Sequence, residues 1–199
     1  MRTTTPDDVG GVRTLLAHGF VDDPMFAWYF PDAATRLEAV AAWLTAHAER
    51  YVTGFGERSG ARVVEHDGAL VGAALWRWPG DDLAAPDVLP TPGGLLTALV
   101  GPEHVARIVE GFAAERAVRP TEPHAYLHYL AVDAAHRGHG HGRALVDDGV
   151  ARARAAGLPV LVETTNPVNV PIYTRLGFGV AHEVRLGEGP VVWILTAPA

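Results

Sequence analysis

The sequence predicts one mixed α/β (α+β) domain in which two neighbouring strands run parallel. Apolar runs typical of strands alternate along the chain with segments whose apolar residues recur at helical spacing. A helical segment connects the strand that ends at Val132 to the strand that ends at Thr164, and such a crossover makes its two strands parallel neighbours. Turn sequences at residues 67–68 and 187–190 favour antiparallel hairpins for the other strands.

The first 51 residues are predicted to form two helices. Thr5 as N-cap and Pro6 at the first helical position mark a helix start. Apolar residues then recur at helical spacing at Val12, Leu15, Leu16 and Phe20. The run Asp-Asp-Pro at 22–24 ends this helix, and a second helix is predicted from Ala33 to about Tyr51.

A hairpin and a group of helices are predicted next. Residues 61–65 and 70–76 have the composition of strands, and the Asp-Gly pair at 67–68 favours a tight turn between them. Residues 79–92 are rich in proline and are predicted to be an irregular connector. Residues 93–116 are predicted to be rich in helix.

The C-terminal half alternates strands and helices. The predicted order is a strand at 125–132, a glycine-rich loop, a helix to Ala156 ended by Gly157, and a strand at 159–164. A short helix at 166–176, ended by Gly177, follows. The last two strands, at about 179–186 and 191–196, are predicted to form a hairpin.

Composition excludes several classes of protein. The 199 residues suffice for one sizeable core, and a net charge of −7 argues against a general nucleic-acid binder. No apolar run approaches the roughly 18 to 20 residues of a membrane span, and the N-terminus lacks the apolar core of a signal peptide. The absence of cysteine excludes disulfides and thiol nucleophiles. We expect a cytoplasmic monomer or homodimer that binds neither nucleic acid nor membrane.

The most informative segment is the loop at 136–143, which reads His-Arg-Gly-His-Gly-His-Gly-Arg. It lies between a strand and a helix, where unpaired N–H groups and the helix dipole favour an anion such as phosphate. A dinucleotide-binding fingerprint does not fit, because Gly142 comes one position too early. A P-loop is excluded because no Gly-Lys-Ser/Thr follows.

The histidines of this loop raise the alternative of a metal site. No cysteine or nearby carboxylate cluster completes a ligand set for His136, His139 and His141. We therefore predict no metal, and we expect these side chains to be exposed in the turn or to help neutralise a phosphate.

Two motifs together identify a resemblance to a known family. The spacing Arg137-x-x-Gly140-x-Gly142 resembles the pyrophosphate-binding loop of the GNAT superfamily of acyl-CoA-dependent N-acyltransferases. Residues 166–178, with an Asn, then Tyr173, then Leu-Gly-Phe, resemble a second motif of that superfamily, in its order and spacing. The resemblance implies a GNAT-like mixed sheet whose parallel strands splay around acyl-CoA. It also implies a single domain, with an acceptor-side half at 1–120 and an acyl-CoA-binding half at 121–199.

The resemblance assigns residues to the cofactor, acetyl-CoA. Backbone groups of Leu130, Ala131 and Val132 would hold the pantetheine arm and polarise the thioester oxygen. The loop would bind the pyrophosphate through Arg137, Gly138, His139, Gly140, His141, Gly142 and Arg143. Asn166 and Asn169 would fix a helix start and line the same side.

Three side chains are candidates for the chemistry. Tyr173 could protonate the departing CoA thiolate, because a phenol with a pKa of about 10 can donate to a thiolate whose pKa is roughly 8.5 to 9; the alternative is a core aromatic. His128, whose ordinary pKa is about 6.5, could deprotonate the amine, as implicated for a histidine at this strand position in one branch of the superfamily. Strand alternation places it on one face with Tyr126, Leu130 and Val132.

Glu163 is the other candidate for the base. A carboxylate is unexpected in the apolar strand that precedes Thr164, unless it is partnered or functional. A structural histidine at 128 and an ion-pair partner at 163 are the alternatives that remain open.

The acceptor is expected to be a primary amine of a small molecule. Aromatic residues that could border its site are Phe26, Trp28, Tyr29, Phe30, Trp76, Trp78 and Tyr126, although clustered aromatics are more often core. They would suit an aminonucleoside or an arylalkylamine. At Glu122-Pro123, Glu163-Thr164 and the turn at 188–190 the chain also resembles the puromycin N-acetyltransferases, a likeness that weakens between residues 25 and 120. A protein lysine or N-terminal acetyltransferase and a non-catalytic acyl-CoA-binding module are the alternatives.

Overall fold

The computed structural model describes residues 1–55, 60–83 and 89–199. Within these residues the α-helices are α1 (Val9–Phe20), α2 (Pro24–Tyr29), α3 (Arg36–Glu49), α4 (Pro92–Val100), α5 (Pro102–Gly111), α6 (Ala113–Val118), α7 (His141–Ala155) and α8 (Val170–Arg175). The strands are β1 (Arg2–Thr3), β2 (Arg62–His66), β3 (Ala69–Arg77), β4 (Ala125–Val132), β5 (Val160–Thr164), β6 (Gly179–Arg185) and β7 (Val191–Ala197). Among the described helices, none combines the length and the apolar composition that a membrane crossing requires.

The strands of the described chain form one sheet in the order β1-β2-β3-β4-β5-β7-β6. Its β4 and β5 run parallel, and the other neighbouring strands are antiparallel. The predicted mixed α/β fold with a parallel pair is therefore confirmed. The turn between β2 and β3 has positive φ at both Asp67 and Gly68, which matches the tight hairpin expected from this residue pair.

Several elements differ from the prediction in extent. The run at 22–24 ends α1 and also starts α2, because Asp23 accepts a hydrogen bond from the Met25 N–H at 2.9 Å and Pro24 occupies the first helical position. The second predicted helix begins at Arg36 and continues beyond Glu49 as a π-helical turn, Arg50–Gly54. Part of the predicted irregular connector, residues 84–88, lies outside the described residues.

The parallel strands part halfway along their length. β4 and β5 pair only at Ala125, Tyr126 and Leu127, opposite 160–162. Beyond these pairs, from His128 and Glu163 onward, the two strands diverge. The predicted splay is therefore present, and it leaves an opening in the sheet at the carboxyl ends of both strands.

A β-bulge at His128 changes which residues face the opening. In the pairing of β3 with β4, Leu75 lies opposite Tyr129 and Trp76 lies opposite Leu127, so His128 is an additional residue. Its ring stacks on that of Tyr129 at 4.0 Å, because a bulge turns two successive side chains to one face. The predicted alternation is therefore wrong beyond this point, since Leu130 packs with the core on the opposite face of the sheet.

The two faces of the sheet carry separate cores. One core packs α1 and α3 against the sheet, and the other packs α7 against it. Trp76 belongs to the second core, where it is 0% exposed and its indole lies against Gly149 of α7. Its predicted place beside the acceptor is therefore wrong. Trp78 stacks on Trp76 at 6.4 Å between ring centroids.

Replacing Gly149 by alanine is expected to destabilise the fold by about 1 to 3 kcal/mol or more, as overpacking does. A Cβ at this position would lie 2.0 Å from the Trp76 ring, and neither the helix nor the buried indole can move aside easily. In an open helical site the same change would stabilise by roughly 1 kcal/mol. Gly10→Ala in α1 is the matched control, because nothing lies within 4 Å of its Cβ position. Denaturant unfolding compares the variants, and an undiminished midpoint for Gly149→Ala would contradict this packing.

Candidate active site

The opening between β4 and β5 is part of a cleft of about 700 Å³. It brings together many residues predicted to bind acyl-CoA, namely Leu130, Ala131, Val132, Arg137, Gly142, Arg143, Asn166, Asn169 and Tyr173. His18 and Arg175 also line it and were not predicted. Arg175 lies inside the Asn-to-Phe motif at 166–178, in the same short helix as Tyr173. Its position in the sequence could therefore have identified it as a residue of the cleft.

The glycine loop ends at the N-terminus of α7. Gly138 and Gly140 have φ values of 81° and 83°, in the left-handed region that favours glycine. Gly140 is the N-cap of α7 and has no side chain that could bond the first-turn N–H groups. Those donors and the helix dipole can therefore serve an anion, which is the feature that a pyrophosphate requires.

The loop histidines are placed differently from a metal site. The His136 ring lies 3.0 Å from the Asp133 carboxylate, while His139 is exposed and stacks on His141 at 6.2 Å. Among the described residues, no group of three or more His, Cys, Asp or Glu side chains is placed to hold a metal ion.

A second cavity, of about 250 Å³, joins the cleft on the side of α2 and α3. The residues that line both spaces are Phe20, Asp23, Leu130, Asn169 and Tyr173. Tyr173 therefore stands where a molecule in the cleft would meet a molecule in the cavity. Asn169 is held there by a hydrogen bond from its Nδ2 to Thr164 Oγ1 at 3.1 Å, and Asn166 caps the turn that follows it.

Tyr173 is a protonated phenol in this environment. It is 7% exposed, and its ring packs edge-on against Phe178 at 5.7 Å. Burial raises the pKa of Tyr173, and the nearby Asp23 carboxyl raises it further. Burial also raises the pKa of Asp23 itself, whose Oδ1 accepts hydrogen bonds from Thr165 Oγ1 and the Met25 N–H. The phenol can therefore donate a proton throughout the neutral range.

His128 lines the cavity and contacts a buried tyrosine. Its Nδ1 lies 2.8 Å from the Oη of Tyr51, and its ring meets that of His47 edge-on at 5.8 Å. Burial lowers the pKa of His128 well below its ordinary value, and the positive charges of His47 and Arg77 lower it further. The imidazole is therefore neutral at neutral pH and can accept a proton. Tyr51 carried no recognisable sequence signal, because it is an apolar-face residue of a helix.

Glu163 is part of a buried polar network. Its Oε2 accepts a hydrogen bond from Tyr126 Oη at 2.9 Å, and its Oε1 lies 3.7 Å from Arg119 Nε. Arg119 also lies 3.5 Å from Glu115, a carboxyl that is 2% exposed. Burial and the negative charge of Glu163 raise the pKa of Glu115. Neither Arg119 nor Glu115 was predicted, since α6, which contains Glu115, and the residue that follows it, Arg119, are far from β5 in the sequence.

Eight aromatic side chains line the cavity. They are Phe20, Phe26, Tyr29, Trp43, Phe112, Tyr126, Tyr129 and Tyr173. Three of the residues expected beside the acceptor, Phe26, Tyr29 and Tyr126, are among them. Trp28 does not line the cavity itself; its indole packs on Phe112, which does, and on the backbone of Gly111. Phe30 is 2% exposed in the core.

The chain matches known proteins over most of its length. The model of the acetyltransferase (GNAT) family matches residues 18–178. A Corynebacterium glutamicum protein named histone acetyltransferase HPA2 and related acetyltransferase is 25% identical, with a TM-score of 0.65 over 100% of this chain and 95% of its own.

Two solved structures with lower identity share the fold. A mosquito arylalkylamine N-acetyltransferase-like 5b protein is 16% identical, with a TM-score of 0.57 over 100% of this chain and 98% of its own. A Drosophila melanogaster polyamine N-acetyltransferase that forms N-acetylagmatine is 18% identical, with a TM-score of 0.56 over the same shares of the two chains.

Proposed function

The chain belongs to the acetyltransferase (GNAT) family and is an acetyl-CoA-dependent N-acetyltransferase, and we propose that its acceptor is a primary amine of a small molecule. The observation that carries the proposal is the aromatic cavity of about 250 Å³ that meets the cleft at Tyr173. Residues of α2, α3, β4 and β5 line it, and several of them are aromatic, which favours a compact apolar or aromatic amine.

The size of the cavity narrows the class of amine. Pockets for drug-sized ligands have volumes of roughly 300 to 1,000 Å³. A cavity slightly smaller than this range suits an arylalkylamine better than a whole aminonucleoside. The likeness to the puromycin N-acetyltransferases, at Glu122-Pro123, Glu163-Thr164 and the 188–190 turn, supports a small-molecule acceptor without identifying it.

We propose that acetyl-CoA binds in the cleft, mainly to residues of 121–199. The loop N–H groups and Arg137 or Arg143 would bind the pyrophosphate, and the backbone of Leu130 to Val132 would hold the pantetheine arm. Acetyl-CoA, when bound, supplies the acetyl group as a thioester. We assign Tyr173 the role of proton donor to the departing thiolate, because it stands at the junction and stays protonated.

The acceptor amine has to lose a proton before it can attack. An alkylamine with a pKa of about 10.4 is neutral in only about one molecule in 10³ at pH 7, so a nearby base is useful. We assign this role to His128, which lines the cavity and is neutral at neutral pH. Glu163 is less suited, because Tyr126 and Arg119 already engage its two oxygens.

A panel of amines tests the proposed function. Thiol release from acetyl-CoA is measured with arylalkylamines, with an aminonucleoside, and with peptides that offer a lysine or N-terminal amine. We expect the arylalkylamines to give the highest kcat/KM, because the cavity is narrow and aromatic. Turnover of peptides alone would support a protein acetyltransferase instead. Binding of acetyl-CoA without turnover of any amine would support a non-catalytic module.

A further inference from the structure

Arg77 has an unusual position in the acceptor cavity. It is the last residue of β3, lies opposite Tyr126 in β4, and lines the cavity. Its guanidinium lies 5.2 Å from the centre of the Tyr126 ring. Within the residues that the structure describes, this guanidinium has no hydrogen bond and no ion pair. The nearest acid along the chain, Asp81, instead accepts a hydrogen bond from the Trp78 N–H at 2.8 Å.

A second guanidinium with an unused donor lies beside the same ring. Arg119 is 4.8 Å from the centre of the Tyr126 ring, and its Nη2 is buried without a hydrogen-bond partner. Buried guanidinium N–H groups normally donate to a carboxylate or a carbonyl, because a buried donor without a hydrogen bond is unfavourable. Two arginines beside Tyr126 therefore have N–H donors that find no hydrogen-bond acceptor among the described residues.

The acids beside this ring are paired with Arg119. Glu115 lies 3.5 Å and Glu163 lies 3.7 Å from the Arg119 guanidinium. Burial and the neighbouring Glu163 raise the pKa of Glu115 to about 7. The other acid on the cavity wall, Asp23, lies at the junction with the cofactor cleft, where Thr165 and the start of α2 bind it. Arg77 makes no ion pair with any of these acids in the described part of the chain.

We propose that the acceptor carries a carboxylate as well as its amine, and that Arg77, together with the free Nη2 of Arg119, binds this carboxylate beside Tyr126. The inference rests on the proposed function, in which this cavity holds the acceptor. A carboxylate fits because a guanidinium presents a planar fork of donors that matches its two oxygens. The substrate class is therefore an amino acid or a similar amine with a separate carboxylate and a compact apolar or aromatic body.

Matched pairs of amines test this class. The probes are phenylalanine with 2-phenylethylamine, tyrosine with tyramine, and 4-(aminomethyl)benzoate with 4-methylbenzylamine, which differ only in the carboxylate or its replacement. We expect at least one carboxylate-bearing member to exceed its partner in kcat/KM by about 10- to 100-fold, the value of one or two charged hydrogen bonds. The proposal is overturned if the carboxylate-free amine is as good or better in every pair.

Arg77→Gln should remove the preference. We expect KM for the carboxylate-bearing acceptor to rise by about 10-fold or more, as loss of a charged hydrogen bond predicts, and Arg77→Lys to restore part of it. KM for acetyl-CoA should not change. Loss of the Arg77 charge also raises the pKa of His128, and this effect falls on both members of a pair, so the measured quantity is the ratio of their kcat/KM values, which should fall towards one. Arg154→Gln, at an exposed residue that lines neither the cavity nor the cleft, is the charge-matched control. Equal losses for both members of a pair would contradict a carboxylate site.

A binding measurement keeps the inference separate from the proposed function. Tryptophan fluorescence can follow binding of 4-methylbenzoate and of the neutral 4-methylbenzamide, since Trp43 lines the cavity. If no amine is acetylated, the proposed function fails, while tighter binding of the benzoate that is lost in Arg77→Gln still supports the carboxylate site. Equal binding of the two probes overturns the site even if amines are acetylated.

Discussion

Replacing Tyr173 by phenylalanine is expected to lower kcat by about 10²- to 10⁴-fold, the usual contribution of a positioned general acid. The substitution removes only the hydroxyl, so the packing of the ring on Phe178 and the shape of the cleft remain. KM for acetyl-CoA should therefore change little. We expect the effect on kcat because the proposed role of the phenol is to protonate the departing thiolate, which exists only as the reaction proceeds.

Steady-state kinetics with acetyl-CoA and a turned-over amine measure this change. Thr174→Ala in the same helix is the control, because its exposed hydroxyl bonds only to the Val170 carbonyl and faces no substrate. The pH dependence gives a second check: burial raises the pKa of Tyr173, so the parental enzyme should keep its proton donor through the neutral range. Unchanged turnover in Tyr173→Phe would remove this residue from the mechanism.

His128→Gln should lower kcat/KM by about 10²-fold or more and abolish its acid limb, because glutamine cannot accept a proton. Burial lowers the pKa of His128, so the imidazole is already neutral at pH 7 and becomes protonated only at lower pH. The parental kcat/KM should therefore fall as the pH drops, with a midpoint below about 6.5, the ordinary pKa of histidine. The variant should lack this fall.

Glu163→Gln is the matched variant for the same profile. It preserves the size of the side chain and removes its charge, and we expect it to keep the acid limb of the parental enzyme. If Glu163→Gln loses the acid limb and His128→Gln keeps it, Glu163 is the base. If both variants keep the limb, neither residue is the base. Circular dichroism should accompany both profiles, because Glu163 contacts Arg119 and Tyr126 in the buried network.

Much of the cofactor side was predictable because its residues are close together in the sequence. The loop at 136–143 and the motif at 166–178 are each continuous, and each joins a strand to a helix. Local rules for glycine, for helix caps and for strand–helix connections therefore locate them directly. The same rules predicted the parallel pair β4 and β5 from a single crossover.

The bulge at His128 could not be predicted from β4 alone. A bulge arises from the register between two strands, and the shift occurs where Leu75 and Trp76 of β3 meet β4. Simple alternation therefore placed His128 on the face of Leu130, whereas it stacks on Tyr129 and contacts Tyr51. The same register sends Trp76 beneath α7 and away from the acceptor.

By itself, the sequence determined the fold class and the family resemblance and predicted the loop that we propose to bind the anion, since these depend on residues within continuous strand–loop–helix segments. The tertiary structure alone decided the acceptor side. Arg77, Arg119 and Glu163 come from three distant segments, and they meet around Tyr126 only when β3, β4, β5 and α6 pack together. The sequence does not show which side chain will pair with a given charged residue. Burial and the neighbours that the fold brings within a few ångströms decide that.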